Sequence, residues 1–423
     1  MKLTIYRIRD VLLILLYKFT FDVVYIYNVH PVFDYSGCTL DFDLGRYVQL
    51  TGFFILLLKP ILKLYYSNKV SSLAVLLLIY LYFIPGLTFI SLAKVHVGYI
   101  FYYISYWSLL LFWDKFVVNI KMPTLNKRQS GVMFNLFLVV SISFVVLISG
   151  LYTGFRLHFN ILDVYGLRAE ERGMDFPIIV KYLQPAIAAI IPCLIVYFLT
   201  QKKRLSVILF VILQLFLFGV GGHKSYLFAL FIAIITYVFY KRKRLVYLPL
   251  GFVLINIISL IEGYINDGIS MTTIFIHHRV LIVPNMLANY MFDFMESHEL
   301  LYLRESILRL IGLESPYKPN YFFVIGEQYF GDKFIQANTG MCGDAYSQFG
   351  YLSLVFYPLL IPLVFSFLGS VCKGVDGKIV FIVVFLYVFN FINGSFFSVL
   401  LTNGFLMVSF VLFMLSNKIR ILT

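Results

Sequence analysis

The stretch LSVILFVILQLFLFGVGGHKSYLFALFIAIITYVFY, Leu205–Tyr240, decides what kind of chain this is. It carries a single charged side chain, Lys224, in about 36 residues. It is flanked by Lys202-Lys203-Arg204 before and Lys241-Arg242-Lys243-Arg244 after. A helix needs roughly 20 mostly apolar residues to cross the hydrocarbon of a bilayer, so this length just makes two crossings. Basic runs collect on the cytoplasmic side, so both ends face inward and Gly219-Val220-Gly221-Gly222-His223-Lys224 is a tight outer turn. His223 and Lys224 then lie at membrane depth, where a charge costs roughly 2.5–3.5 kcal/mol unless paired or hydrated. Lys224 either snorkels to the headgroups or faces an internal polar cavity and holds an anion. In the second case the glycines let backbone N–H groups approach the same anion, beside the start of the next helix.

The same reading extends over the whole chain. Of 423 residues, 61% are hydrophobic and only 13% charged, about half the charge of an ordinary soluble domain. The fold class is therefore an all-α polytopic membrane protein, a single integral membrane domain over residues 1–423. Twelve segments read as spans: 8–28, 46–64, 70–90, 99–119, 131–150, 178–200, 205–219, 224–240, 245–262, 345–368, 378–394 and 400–416. An even number of spans separates every pair of basic runs, which places both termini in the cytoplasm. The net charge of +13 sits in these short runs and not in a basic domain, which excludes nucleic acid as a partner. Anionic membrane lipids are the partners such runs attract. The first segment contains Lys18 and Asp22 and lacks a small-residue cleavage site, so it is read as a retained helix. Cys38, Cys193, Cys342 and Cys372 show no metal-ligand spacing, and no metal or cofactor is expected. Cys38 and Cys342 share the outer side, with unpaired thiols preferred over a disulfide.

Polar residues concentrate in two outer loops, 151–177 and 262–344. The longer has apolar residues at helical spacing through Ser270–Glu299 (Ile274, Leu281, Met286, Tyr290, Phe294), which predicts amphipathic helices on or dipping into the membrane. Pro284, Pro316 and Pro319 limit their length. Arg304, Glu305 and Arg309 read as surface helix pairs. Positive charge on the outer side runs against the orientation bias and needs a reason. Arg156, Arg168, Arg172, Lys224 and Arg279, with His223 and Tyr346, are the candidates to grip a diphosphate and its glycan; arginine suits such an anion through its two-pronged donors. Asp344 and His278 are the candidate general bases, with Arg279 beside them in the catalytic set. Plainer readings stand next to these. His277-His278-Arg279 also fits an interfacial helix end, Asp344 a helix cap, and the arginines of 151–177 local partners of Glu170, Glu171 and Asp175.

Two motifs carry a resemblance. Gly221-Gly222-His223-Lys224 opens the eighth span, and Gly343-Asp344-Ala345-Tyr346-Ser347-Gln348-Phe349-Gly350 opens the tenth. With the span count and the two long outer loops, they resemble the oligosaccharide repeat-unit (O-antigen) polymerases of bacterial envelopes. The chain departs from that pattern in having Asp344 for the frequent Glu, Lys224 for Arg, and Ser353 where a second Gly often follows. The Arg–ten residues–Gly pattern of some members is absent. The resemblance implies a GT-C-like fold and a metal-independent glycosyltransferase. It would join undecaprenyl-diphosphate-linked oligosaccharide units on the periplasmic face of the inner membrane, with a separate chain-length regulator as a partner. A ligase of finished glycan shares the same donor chemistry. A repeat-unit flippase is expected to bury charges within its spans, and a membrane acyltransferase to face its reactive residues inward.

Overall fold

The computed structural model describes residues 2–118, 120–155, 166, 173–174, 176–306 and 308–419. Every regular element among them is helical. Eight helices are long and apolar enough to cross a membrane: Leu44–Tyr66, Val70–Leu92, Lys127–Thr153, Ile178–Thr200, Arg204–Gly221, Arg242–Ile265, Met341–Val371 and Phe396–Ile419. Two shorter apolar helices are Lys224–Phe239 and Gly377–Asn393. The remaining expected spans are also helical. Lys2–Val24 continues as a wide π turn, Tyr25–Val29, and Val97–Phe116 carries four tyrosines and Asp114. Their charges and phenols keep both outside the apolar set. The protein is thus a polytopic helical membrane protein by length and composition of its helices.

Contacts group the chain into two compact units. The first comprises Met1–Val118, Lys243–Phe365 and Val388–Phe396; the second comprises Asn119–Arg242, Ser366–Tyr387 and Phe397–Thr423.

In the first unit Val70–Leu92 is the central helix, buried along its full apolar window. A helix that is apolar all round belongs in a core. Around it stand Tyr99, Tyr102, Tyr103, Tyr106 and Trp107, all fully buried. The expected amphipathic segment is one continuous helical run, a π turn Thr273–Ile282 followed by the α-helix Val283–Ser297. Pro284 does not end it, because proline is tolerated in a first turn and sits there just after the widened π segment. Eleven of the fifteen residues of Val283–Ser297 are buried, so this helix packs on most sides within the unit rather than resting one face on lipid. Its approach is fixed by Glu262, which accepts from Ser270 Oγ at 2.7 Å and from the Thr272 N–H at 2.9 Å.

In the second unit the helix Ile178–Thr200 is central, packed by Arg204–Gly221 and Lys224–Phe239. Gly222 takes the left-handed conformation (φ 60°) that ends one helix and lets the next begin two residues later. This is the tight turn that the spacing of the basic runs demands. Gln214, fully buried, donates to the carbonyls of Ala188 (3.1 Å) and Tyr226 (3.3 Å), joining three helices. Leu205, Ile208, Leu209 and Ile212 are exposed along one face, the side a bilayer would cover. All four cysteines are free thiols and buried.

Candidate functional site

In the second unit, the turn at 222–224 opens onto a cavity of about 360 Å³ lined by Met174, Phe176, Lys181, Gln184, Pro185, His223 and Tyr226. His223 occupies the N-cap of the helix Lys224–Phe239, and its ring meets that of Tyr226 at 5.2 Å. The first N–H groups of any helix lack partners within it and give that end a partial positive charge. Lys181 and Gln184 come from the neighbouring helix Ile178–Thr200, one turn apart and so on one face. An ammonium, an imidazole, an amide and a helix N-terminus thus share one partly apolar cavity. That donor set suits an anion with an apolar attachment. Lys224, the expected cation, is exposed and does not line the cavity. His223, one residue earlier, takes its place. Lys181 escaped the sequence reading because it lies inside a segment counted as a span. The signal was available in Lys181-x-x-Gln184, two polar residues at helical spacing in an apolar run. Arg156, Arg168 and Arg172 lie outside the described residues.

In the first unit, His278 and Arg279 lie on the π turn Thr273–Ile282. The His278 ring stacks flat on Phe33, centroids 3.6 Å apart and planes 3° from parallel. Burial, and then the charge of Arg279, hold its pKa down at about 4, so it is neutral at pH 7. The Arg279 side chain is exposed. His277, fully buried, sits 2.8 Å from the Asn256 amide through Nε2. Burial lowers its pKa to about 4 as well.

Asp344 and Tyr346 lie on the helix Met341–Phe349. Asp344 is buried, and both carboxylate oxygens are engaged: Oδ1 accepts from Gln348 Nε2 at 3.2 Å and Oδ2 from the Phe396 N–H at 2.8 Å. Asp344 does not cap its own helix, which begins three residues earlier. It binds instead the first N–H of the helix Phe396–Leu400. Gln348 Oε1 accepts from the Leu303 N–H at 2.8 Å. The Tyr346 ring packs on Phe292 at 4.0 Å and Tyr102 at 5.0 Å. The motif's glycines have physical reasons. A Cβ on Gly343 would lie 3.1 Å from Ala288 Cα, and Gly350 has φ 55°, ψ −141°, a region only glycine visits freely. No hydrogen bond or ring contact between the His278–Arg279 pair and the Asp344–Tyr346 pair is found among the described residues.

Arg304 donates to Glu299 at 2.7 Å, and Glu305 accepts from Ser315 Oγ (2.6 Å) and the Tyr321 N–H (2.9 Å) beside a second cavity of about 440 Å³. The Arg309 side chain lies outside the described residues. The first helix holds a buried ion pair, Lys18 Nζ to Asp22 Oδ2 at 2.5 Å. Asp22 also accepts from Tyr47 (2.7 Å) and Thr88 (2.6 Å). No protein-family model, curated protein or solved structure matches the chain.

Proposed function

We propose that this chain is a membrane glycosyltransferase, a repeat-unit polymerase that joins oligosaccharides carried on a polyprenyl diphosphate. The observation that carries the reading is the cavity of Lys181, Gln184 and His223 at the start of the helix Lys224–Phe239. A diphosphate leaving group gains negative charge as the glycosidic bond breaks. A cationic side chain and a helix N-terminus aimed at that charge stabilise it most where it develops. The apolar share of the lining, Met174 and Phe176, suits a group that arrives attached to a lipid.

In the proposed reaction, an acceptor sugar hydroxyl attacks the anomeric carbon of the donor. The bond to the diphosphate oxygen breaks, and the hydroxyl proton passes to a base. With the basic runs facing inward, the reaction belongs on the periplasmic face of the inner membrane, and both termini are cytoplasmic. The twelve-span count, the GT-C-like arrangement and a chain-length partner are part of this proposal.

A second reading, a repeat-unit flippase, is favoured by one observation: Lys18 and Asp22 are buried within a helix in the way that charges of a transport path are. A gel of surface glycan from cells with and without the gene separates the two. Loss of the ladder with single-repeat lipid retained supports the polymerase. Loss of all repeat-bearing lipid sinks it, in favour of the flippase or a ligase.

A further inference from the structure

A third cavity lies elsewhere in the second unit. It has a volume of about 480 Å³ and is lined by the 120–123 segment, the end of the helix Met341–Val371 and the end of the helix Phe405–Ile419. Three hydrogen bonds assemble it. The Ile120 N–H donates to Ser370 Oγ at 2.9 Å, the Leu125 N–H to Asn417 Oδ1 at 3.0 Å, and Ser416 Oγ to the Lys373 carbonyl at 2.5 Å. The floor is therefore committed: Ser370 donates to Ser366 and Ser416 to Lys373, so neither hydroxyl has a proton to offer a ligand. The charged donors of the lining are the ammonium groups of Lys121 and Lys373, both exposed at the rim. Two helices end here with their partly negative carbonyl ends, which also drives an anion away from the floor and toward the lysines. The walls beside the rim are apolar, with Ile120, Met122 and Phe413. Ile120 and nearby Phe410 are exposed, so the apolar wall continues onto an outward surface.

We propose that this cavity binds the phosphate ester of an anionic membrane lipid, with the phosphate between Lys121 and Lys373 and the glycerol and first acyl carbons along Ile120, Met122 and Phe413. The shared chemistry is a phosphate between two ammonium groups; the apolar wall assigns the source to a lipid, because a free phosphate gains nothing from it. The site lies among the basic runs that the sequence places on the cytoplasmic side, where anionic lipids concentrate. It does not depend on the glycosyl-transfer reading.

The full chain, purified in mild detergent, is titrated with phosphatidylglycerol or phosphatidylcholine, and bound lipid is counted by native mass spectrometry. Phosphatidylglycerol is expected to be retained over phosphatidylcholine. Lys121→Ala with Lys373→Ala is expected to weaken retention roughly 30-fold, at about fivefold per lysine. Lys121→Arg with Lys373→Arg restores it, and Lys241→Ala with Lys243→Ala, the same charge removed from another basic run, leaves it unchanged. Equal loss in that control pair, or equal retention of the two lipids, overturns the proposal. So does displacement of the lipid by inorganic phosphate at the lipid's own concentration, which would assign the site to the free anion.

Discussion

In the proposed reaction, the residues that matter most are Lys181 and His223, which line one cavity. If these groups meet a developing diphosphate charge, Lys181→Ala should lower turnover about 100-fold, in the range seen for loss of one charge-stabilising donor. Lys224→Ala, on an exposed side chain outside the cavity, should cost far less. Glycan ladders from complemented cells check both, and equal ladders from Lys181→Ala and the parent would remove the cavity from the mechanism. The histidine pair makes a stability prediction. His277 has its pKa pushed down to about 4 by burial, whereas an unfolded histidine titrates near 6.5. The unfolded chain therefore binds more protons between these values. Stability is complete above about pH 6.5 and falls with pH, by about 3 kcal/mol at pH 4 for a fully buried group. Thermal unfolding of the purified protein should show this slope, and His277→Gln should flatten it.

At the scale of elements, the buried pair Lys18–Asp22 ties three helices. Tyr47 reaches it from Leu44–Tyr66 and Thr88 from Ile84–Leu92. Removing one partner leaves an uncompensated charge out of water, which costs about 3–5 kcal/mol, whereas replacing both by apolar residues of similar size is often close to neutral. Lys18→Met alone is expected to unfold the protein at clearly lower temperature, and Lys18→Met with Asp22→Leu to recover most of the loss. A double variant as unstable as the sum of its singles would show that the pair is not coupled. The double variant also bears on the flippase reading: a transport path needs the charges themselves, whereas a structural tie needs only their absence from each other. The segment 341–350 acts at this scale as well. Through Asp344, Gln348, Gly343 and Gly350 it fastens the Leu303 backbone, the helix Val283–Ser297 and the N–H of Phe396.

For the whole molecule, the arrangement of basic runs makes a prediction about sidedness. All four native cysteines are buried, so a cysteine introduced at an exposed position is labelled selectively by a membrane-impermeant reagent. Lys318→Cys, on the 262–344 interval and strongly exposed, should be labelled in intact cells. Lys243→Cys should be labelled only after the membrane is opened. The reverse pattern would overturn the orientation, and with it the assignment of the reaction to the outer face.

The membrane character, the positions of the helices and the turn at Gly222 were legible from the residues alone, because these depend on local quantities: the length of an apolar run, the charge at its ends and a glycine where the chain reverses. Of the two neighbouring residues that the sequence offers at this turn, His223 lines the cavity and Lys224 does not. Tertiary structure alone decided which cation shares that cavity, since Lys181 and His223 are far apart in the chain and meet only when two helices pack. It decided that Asp344 is enclosed by Gln348 and Phe396, a partner 52 residues away. It also turned Val283–Ser297 from a surface helix into a buried one, because periodicity reports that a helix has an apolar face and is silent on how many neighbours cover the rest.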